Sequence, residues 1–175
     1  MKYNQTKSYL KNPQPVSDNL LYGEFHENSK HTTRMPYMEA VYDVLEKNHG
    51  KVIYFDFWAR WCPPCLTEME PLKQLRSKFS TNDLIIYSIC VSEPKEQWEE
   101  CLNEYSLKNC GIECVHVTDY LGIDNYQKIR KQWKIDRIPY YILINRKGQI
   151  IDFGATARPS NPQLVSRIED AVNSK

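Results

Sequence analysis

Residues 51–65, KVIYFDFWARWCPPC, join a hydrophobic segment directly to a pair of closely spaced cysteines. Apolar, β-branched and aromatic side chains occupy nearly every position of residues 51–58, which predicts a central strand covered on both faces. After the Cys-Pro-Pro-Cys turn, apolar residues recur at helical spacing, at Leu66, Met69, Leu72 and Leu75. The segment therefore predicts a strand, a turn carrying two thiols and an amphipathic helix in direct succession.

This arrangement suits thiol–disulfide exchange. The free N–H groups and the positive end of the helix dipole favour a thiolate at Cys62, and only the thiolate attacks a disulfide. Two intervening residues bring Cys65 back within one turn, where its sulfur can resolve a mixed disulfide. The spacing alone is weak evidence, but the preceding hydrophobic strand, Trp61 directly before Cys62 and the following helix make it specific.

Other uses of the cysteines stay open at this point. Cys62 and Cys65 could form a structural disulfide, or half of a zinc site completed by Cys110 and Cys114. A zinc knuckle normally turns through a glycine after its second cysteine, whereas residues 66–68 continue into the predicted helix, so we favour redox chemistry and no metal. Cys110 and Cys114 could also take part in a second, structural disulfide.

The rest of the chain alternates predicted helices and strands. Further helices are expected around 38–45, from Pro94 onward, over 126–133 and from Pro162, the last with Leu164, Ile168 and Val172 inward. Further strands are expected over 84–91, 112–117, 140–145 and 150–153. Alternating strands and helices imply an α/β layered fold, and the late hairpin implies a mixed sheet. Cys90 and Cys101 fall on apolar faces and are expected in the core.

Composition sets the limits of the function. The 175 residues are 41% hydrophobic and 26% charged, as in a globular protein, and the formal net charge is +1. A near-neutral chain gives no electrostatic reason to expect nucleic acid as a partner. The apolar runs are far shorter than the roughly 20 residues that cross a bilayer, so any membrane tether is expected outside this chain.

The N-terminal residues 1–35 differ from the remainder. They are polar and carry two prolines, with one small apolar cluster near residue 20, which favours an extension or a linker remnant ahead of a domain at 36–175. No secretory leader is visible, so the chain is expected to be either cytoplasmic or a mature form or fragment of an exported protein.

Two segments resemble the thioredoxin superfamily. Residues 56–65 resemble its active-site segment, and Ile138-Pro139 with the following YYILI resembles its cis-proline strand. Residues 92–125 are similar to the extra helix and strand of the TlpA-like bacterial thiol-disulfide oxidoreductases. The resemblance covers residues 36–175. It implies a thioredoxin-like α/β fold, with a mixed central sheet flanked by helices and a helix–strand insertion, and usually an extracytoplasmic location (periplasm or cell envelope).

The resemblance also implies roles for individual residues. Cys62 would be the attacking thiol and Cys65 the resolving thiol of a redox-active disulfide. Asp56 matches a buried acid beneath the active site that exchanges a proton with Cys65, although it could be a plain strand-end residue. Glu68 matches an acid of the cytochrome-maturation members, although a solvated helix glutamate is equally common.

Substrate contacts follow from the same likeness. Pro139 would be the cis-proline, with Ile138 offering its backbone to an extended substrate segment, and Trp61, Pro63 and Pro64 would be further substrate-binding residues. The sequence departs from the usual pattern in three places: the Pro-Pro pair, Arg137 where many relatives have a small residue, and Pro71, which lies nine residues after Cys62 where eight is commoner.

The function expected is that of a thiol-disulfide oxidoreductase acting on protein disulfides. It needs an upstream thiol electron donor but no metal or organic cofactor. Because Pro63 and Pro64 lack N–H groups, only the Cys65 N–H can stabilise the Cys62 thiolate, which predicts a reductase rather than an oxidase. The alternatives are a redox-sensing or partner-binding module without turnover and, less favoured because such enzymes do not need Cys-x-x-Cys, a peroxidase on the same fold.

Overall fold

The computed structural model describes residues 35–92 and 94–174. Residues 1–34 lie outside this range, so the predicted N-terminal extension is outside the described residues except for Met35. No helix within the described ranges has the length and apolar character needed to cross a membrane.

A five-stranded sheet forms the centre of the molecule, in the order β3-β2-β1-β4-β5. The strands are β1 Val52–Trp58, β2 Leu84–Cys90, β3 Glu113–His116, β4 Tyr140–Ile144 and β5 Ile150–Phe153. β2 runs parallel to both β1 and β3, whereas β4 is antiparallel to β1 and to β5. The mixed sheet predicted from the late hairpin is therefore confirmed.

Helices connect these strands and cover the sheet. They are α1 Glu39–Lys47, α2 Pro63–Leu66, α3 Met69–Ser77, α4 Lys95–Glu104, α5 Val117–Tyr120, α6 Ile123–Gln132 and α7 Pro162–Asn173. Short 3-10 helices span Pro36–Met38 and Gly154–Ala157. The inserted helix and strand correspond to α4 and β3. The strand predicted to reach Val117 is shorter, because Val117 begins α5.

β1 separates two hydrophobic cores and is buried at every position, as predicted. Its odd-numbered residues, including Phe55 and Phe57, pack with α1 and α6. Its even-numbered apolar residues, including Tyr54 and Trp58, pack with α2, α3, α4 and α7. Both cysteines of the Cys-Pro-Pro-Cys turn belong to this second core. The alternation of β1 thus decides which of its side chains lie beneath the turn.

The helix after the turn is interrupted, contrary to the prediction that it continues through residues 66–68. α2 ends at Leu66, and α3 begins at Met69 after Glu68. Pro71 has no N–H to donate to the carbonyl of Thr67, four residues earlier, and its ring crowds that carbonyl. The segment carrying Cys65 is therefore a single short helix, separate from α3.

Side-chain burial agrees with most of the predicted core. Cys90 and Cys101 are fully buried, as predicted. In α7, Leu164 and Ile168 face inward as expected, but the third fully covered position is Ala171, and Val172 is only partly buried.

Candidate active site

Cys62 and Cys65 are joined by a disulfide at the start of α2, with their Cα atoms 5.2 Å apart. Cys62 is the N-cap residue, and its sulfur accepts a hydrogen bond from the backbone N–H of Cys65 at 3.3 Å. Pro63 and Pro64 have no N–H to donate, so the sequence predicts that only the N–H of Cys65 can cap Cys62 from within α2. The structure shows this hydrogen bond. Both cysteines are buried, with 4% and 2% of their surface exposed.

The surface around the disulfide comes from its neighbours. Trp61 is 64% exposed, and its indole N–H donates to the hydroxyl of Ser92 at 2.6 Å. Pro63 and Pro64 are also exposed. The exposed surface next to the buried sulfurs therefore includes an aromatic ring and two proline rings.

The Ile138–Pro139 peptide bond is cis, as the resemblance implies. These two residues directly precede β4, and Tyr140 pairs with Phe57 near the end of β1. Because β4 is antiparallel to β1, the start of β4 and the end of β1 lie at the same edge of the sheet. The structure thus brings the predicted substrate-binding pair to the edge that carries the cysteines. Arg137, the residue before Ile138, is exposed.

Asp56 lies in the middle of β1 and is 4% exposed, so it is not a strand-end residue. Its position in the strand places it on the face of Tyr54 and Trp58, which α2 and α3 cover. Burial raises the pKa of Asp56 to about 7; the hydrogen bond from Ser88 opposes this shift, and the charge of Glu68 adds to it. The carboxyl therefore exchanges its proton near neutral pH.

Glu68 is buried, which rules out the solvated-helix alternative. Its carboxylate accepts hydrogen bonds from the backbone N–H of Ser160 at 2.8 Å and from the Ser160 hydroxyl at 2.7 Å. The Nε atom of Arg158 lies 3.6 Å from the same carboxylate. Glu68 thus ties the break between α2 and α3 to the loop before α7. Sequence reasoning missed Ser160 as a partner, since the two residues are distant in the chain.

A polar row that sequence reasoning also missed crosses the sheet beneath the turn. In the strand registers, Asp56 is paired with Tyr141 of β4 on one side and with Ser88 of β2 on the other, and Ser88 is paired with Cys114 of β3. The Tyr141 hydroxyl is buried, and no described residue hydrogen-bonds to it. Burial raises the pKa of Tyr141, with the charges of Asp56 and Glu68 adding to the effect. The sequence signals for this row were the two polar residues within apolar strands, Asp56 and Ser88.

The zinc alternative required Cys62 and Cys65 to act as thiolate ligands beside Cys110 and Cys114. Instead the first two share a disulfide. Among residues 35–92 and 94–174, no three His, Cys, Asp or Glu side chains gather in an arrangement that could hold a metal ion. The lone strand histidine, His116, is buried with its Nδ1 atom 2.6 Å from the Thr118 hydroxyl, a structural contact.

A mixed five-stranded sheet with helices on both faces, a Cys-x-x-Cys disulfide after β1 and a cis-proline before β4 define a thioredoxin-like protein. The chain belongs to the Redoxin family, which it matches over residues 32–172.

Solved structures show the same fold. A candidate thiol-disulfide oxidoreductase from Bacteroides vulgatus is 34% identical, with a TM-score of 0.57, covering 72% of this chain and 76% of that one. The thioredoxin domain of another thiol-disulfide oxidoreductase from Bacteroides vulgatus is 23% identical, with a TM-score of 0.61, covering 74% of this chain and 84% of that one. The predicted thioredoxin-like fold and its superfamily are therefore confirmed.

Curated relatives carry the same class of name. Thiol-disulfide oxidoreductase ResA of Bacillus thuringiensis (strain Al Hakam) is 26% identical over 108 residues, or 62% of this chain and 57% of the relative. Sporulation thiol-disulfide oxidoreductase A of Bacillus subtilis (strain 168) is 23% identical over 108 residues, or 62% of this chain and 61% of the relative. The chain thus matches little more than half the length of these curated relatives.

Proposed function

We propose that this protein is a thiol-disulfide oxidoreductase that reduces or exchanges disulfides of other proteins. The observation that carries the proposal is the Cys62–Cys65 disulfide at the first turn of α2, at the same sheet edge as the cis-proline Pro139. The names of the relatives support the same class of activity.

The exchange begins with the reduced form. The Cys62 thiolate attacks one sulfur of the substrate disulfide, forming a mixed disulfide and releasing the other substrate sulfur as a thiolate. The Cys65 thiol then loses its proton and attacks the Cys62 sulfur, which releases the second substrate sulfur and closes the Cys62–Cys65 disulfide. The substrate gains two electrons, and a donor dithiol restores the reduced form by the reverse exchange.

Asp56 is the proposed proton acceptor for Cys65. It is buried on the face of β1 that packs beneath α2, and its pKa of about 7 lets it take up and return a proton near neutral pH. A buried carboxylate without a positive partner is costly, which favours a functional reason for its presence. Glu68 adds negative charge nearby and, through Ser160, fixes the loop that closes this region.

The proposed substrate is an extended polypeptide. Ile138 and Pro139 are partly buried at the start of β4, where a substrate backbone can lie beside them. Trp61, Pro63 and Pro64 are exposed next to the disulfide and supply apolar contact. An extracytoplasmic location, in the periplasm or cell envelope, is part of this proposal and rests on the likeness to the TlpA-like proteins. The redox-active disulfide serves as the electron carrier, with protein disulfides and a thiol donor as partners.

Trapping tests the mechanism directly. Cys65→Ser should accumulate a mixed disulfide between Cys62 and a disulfide substrate, because the resolving thiol is absent, while Cys62→Ser should accumulate none there. Non-reducing electrophoresis and peptide mapping identify the adduct. If Cys65→Ser forms no adduct at Cys62 with any disulfide substrate, the exchange mechanism is wrong.

Turnover separates an enzyme from a redox-sensing module. The wild-type protein should catalyse repeated reduction of a model protein disulfide in the presence of an added dithiol, and Cys62→Ser should not. A protein that forms one equivalent of product and then stops would be a sensing or binding module instead.

A further inference from the structure

Two thiols outside the proposed active site converge on one backbone carbonyl. The sulfur of Cys110 lies 2.9 Å from the Leu107 oxygen, and the sulfur of Cys114 lies 3.8 Å from the same atom. Asn109 and Gly111 have positive φ angles, so the chain turns sharply on both sides of Cys110 before entering β3. Both thiols are free and partly buried.

The two thiols have different surroundings. The turn that carries Cys110 lies against Arg76, a buried cation whose guanidinium donates to the carbonyl oxygens of Leu84 and Phe79. A Cβ atom on Gly111 would lie only 3.4 Å from the Arg76 side chain, which shows how closely the arginine approaches this turn. The turn that carries Cys110 is therefore held against a buried guanidinium.

Cys114 lies deeper. Its side chain packs against the core beneath the active-site helices, and burial raises the pKa of its thiol to about 12, with the charges of Cys110 and Asp56 adding to the shift. Cys114 is therefore a protonated thiol at neutral pH. Cys110 lies in a turn between the exposed residues Asn109 and Gly111, and Cys114 follows it in β3. An attacking thiol and a neighbouring resolving thiol are the two components that disulfide exchange needs.

We propose that Cys110 and Cys114 form a second dithiol–disulfide couple, which reacts with small disulfides that can reach two partly buried thiols. The Cys110 thiolate attacks one sulfur of the small disulfide and releases its other half as a thiolate. Cys114 gives up its proton and attacks the Cys110 sulfur, forming the Cys110–Cys114 bond and releasing the second half. The protein loses two electrons and two protons, and the small disulfide becomes two thiols.

The second couple goes beyond the proposed function, because it uses neither Cys62 nor Cys65. It is nevertheless close to that site in the sheet. Cys114 is paired across the strands with Ser88, whose hydroxyl binds Asp56. Oxidation of Cys114 therefore changes a side chain that borders the polar row beneath the active-site turn.

The test uses the full chain with Cys62→Ser and Cys65→Ser, reduced and then incubated with glutathione disulfide. The expected product has lost two hydrogens, carries no glutathione, and yields one cross-linked peptide that joins Cys110 to Cys114. Retention of both free thiols, a stable glutathione adduct on Cys110, or a bond from either residue to Cys101 would overturn the proposal.

Single replacements on the same background assign the roles. Cys114→Ser should retain one glutathione on Cys110, because the resolving thiol is gone, and Cys110→Ser should retain none on Cys114. Adduct formation at Cys114 with Cys110 absent, at the rate of the parent, would contradict the assignment.

Disulfide mapping of the wild-type chain after incubation with glutathione disulfide is a test that does not depend on the folding of the variants. It should give two separate cross-links, Cys62–Cys65 and Cys110–Cys114, and absence of the second would also overturn the proposal. A failure of the wild-type protein to turn over disulfides through Cys62, by contrast, would contradict the proposed function and leave the second couple unaffected.

Discussion

Ser88 donates a hydrogen bond from its hydroxyl to the carboxylate of Asp56 at 2.9 Å, across the parallel ladder in which the two residues are paired. Burial acts in the opposite direction, because it disfavours the charged carboxylate. The balance leaves the pKa of Asp56 at about 7. A single uncharged donor thus holds a fully buried acid in the range where it can both take up and release a proton.

Replacement of Ser88 by alanine should raise the pKa of Asp56 above its present value. The hydrogen bond favours the ionised form, and a bond to a charged group contributes about 1.5 kcal/mol, which corresponds to roughly one pKa unit. Titration of the Asp56 carboxyl by NMR measures the change. Ser92→Ala is the matched control, since its hydroxyl contacts Trp61 instead. If the pKa of Asp56 is unchanged in Ser88→Ala, the Ser88 hydrogen bond does not influence the ionisation of Asp56.

Asp56→Asn should stabilise the fold above neutral pH. Between about pH 4, where the unfolded carboxyl ionises, and about pH 7, the folded protein holds a proton that the unfolded chain has lost, so its stability falls as the pH rises. Asp56→Asn has no carboxyl at this position, so its stability does not fall over this pH range for this reason. We expect it to be more stable than the wild type by up to about 4 kcal/mol near pH 8, with little difference near pH 4.

Urea unfolding at both pH values measures the effect of Asp56→Asn. Asp136→Asn serves as the control, because the Asp136 side chain is 68% exposed and should show almost no pH-dependent difference. Equal stability of Asp56→Asn and the wild type near pH 8 would contradict the raised pKa.

Ser160→Ala should weaken the attachment of the loop before α7. The variant keeps the backbone N–H bond to Glu68 but loses the hydroxyl bond, at a cost of about 1 kcal/mol in the free energy of unfolding. Ser77→Ala is the comparison, since that hydroxyl bonds only within its own helix and should cost less than about 0.5 kcal/mol. If Ser160→Ala and Ser77→Ala lose the same free energy of unfolding, the hydrogen bond to Glu68 contributes no more to stability than the bond within the helix.

The Cys62–Cys65 couple should have a reduction potential near that of thioredoxin, about −270 mV, and well below the roughly −120 mV of a strong oxidant such as DsbA. The sulfur of Cys62 receives one N–H from α2, so the thiolate of the reduced form is only moderately stabilised. Equilibration with glutathione measures the potential. A value above about −180 mV, the level of protein disulfide isomerase, would contradict the reductase proposal.

Pro63→His should shift the same couple in the oxidising direction, because it restores one N–H and places an imidazole beside the Cys62 thiolate. Thr67→His is the matched control, since residue 67 is exposed and follows the second cysteine. An equal shift in both variants would indicate a general charge effect rather than one at the turn.

The sequence predicted the features that depend on neighbours in the chain. Two prolines between the cysteines determined which N–H could cap Cys62, and the continuous apolar run of β1 indicated a strand buried on both faces. The likeness to thioredoxin also located Pro139 before β4. These are local patterns, and the structure retains them almost residue for residue.

Contacts between distant segments were not predictable in the same way. Glu68 has the sequence context of an ordinary helix glutamate, and its burial depends on Ser160, which the fold brings to it from the loop before α7. The pairing of Cys114 with Ser88 depends on the register of β3, a short strand whose alignment no local pattern specifies. Pro71 is a local signal for the break between α2 and α3, because it lacks the N–H that a continuous helix needs at this position.

The strands at the two borders of the sheet, β3 and β5, contain only four residues each. A border strand exposes unpaired N–H and C=O groups that can recruit another chain, and short border strands limit this route to aggregation. The proposed partners are extended polypeptides, which can pair with such groups. With only four residues in each border strand, little backbone is available for strand addition at the borders, in contrast to the proposed substrate contact at Ile138.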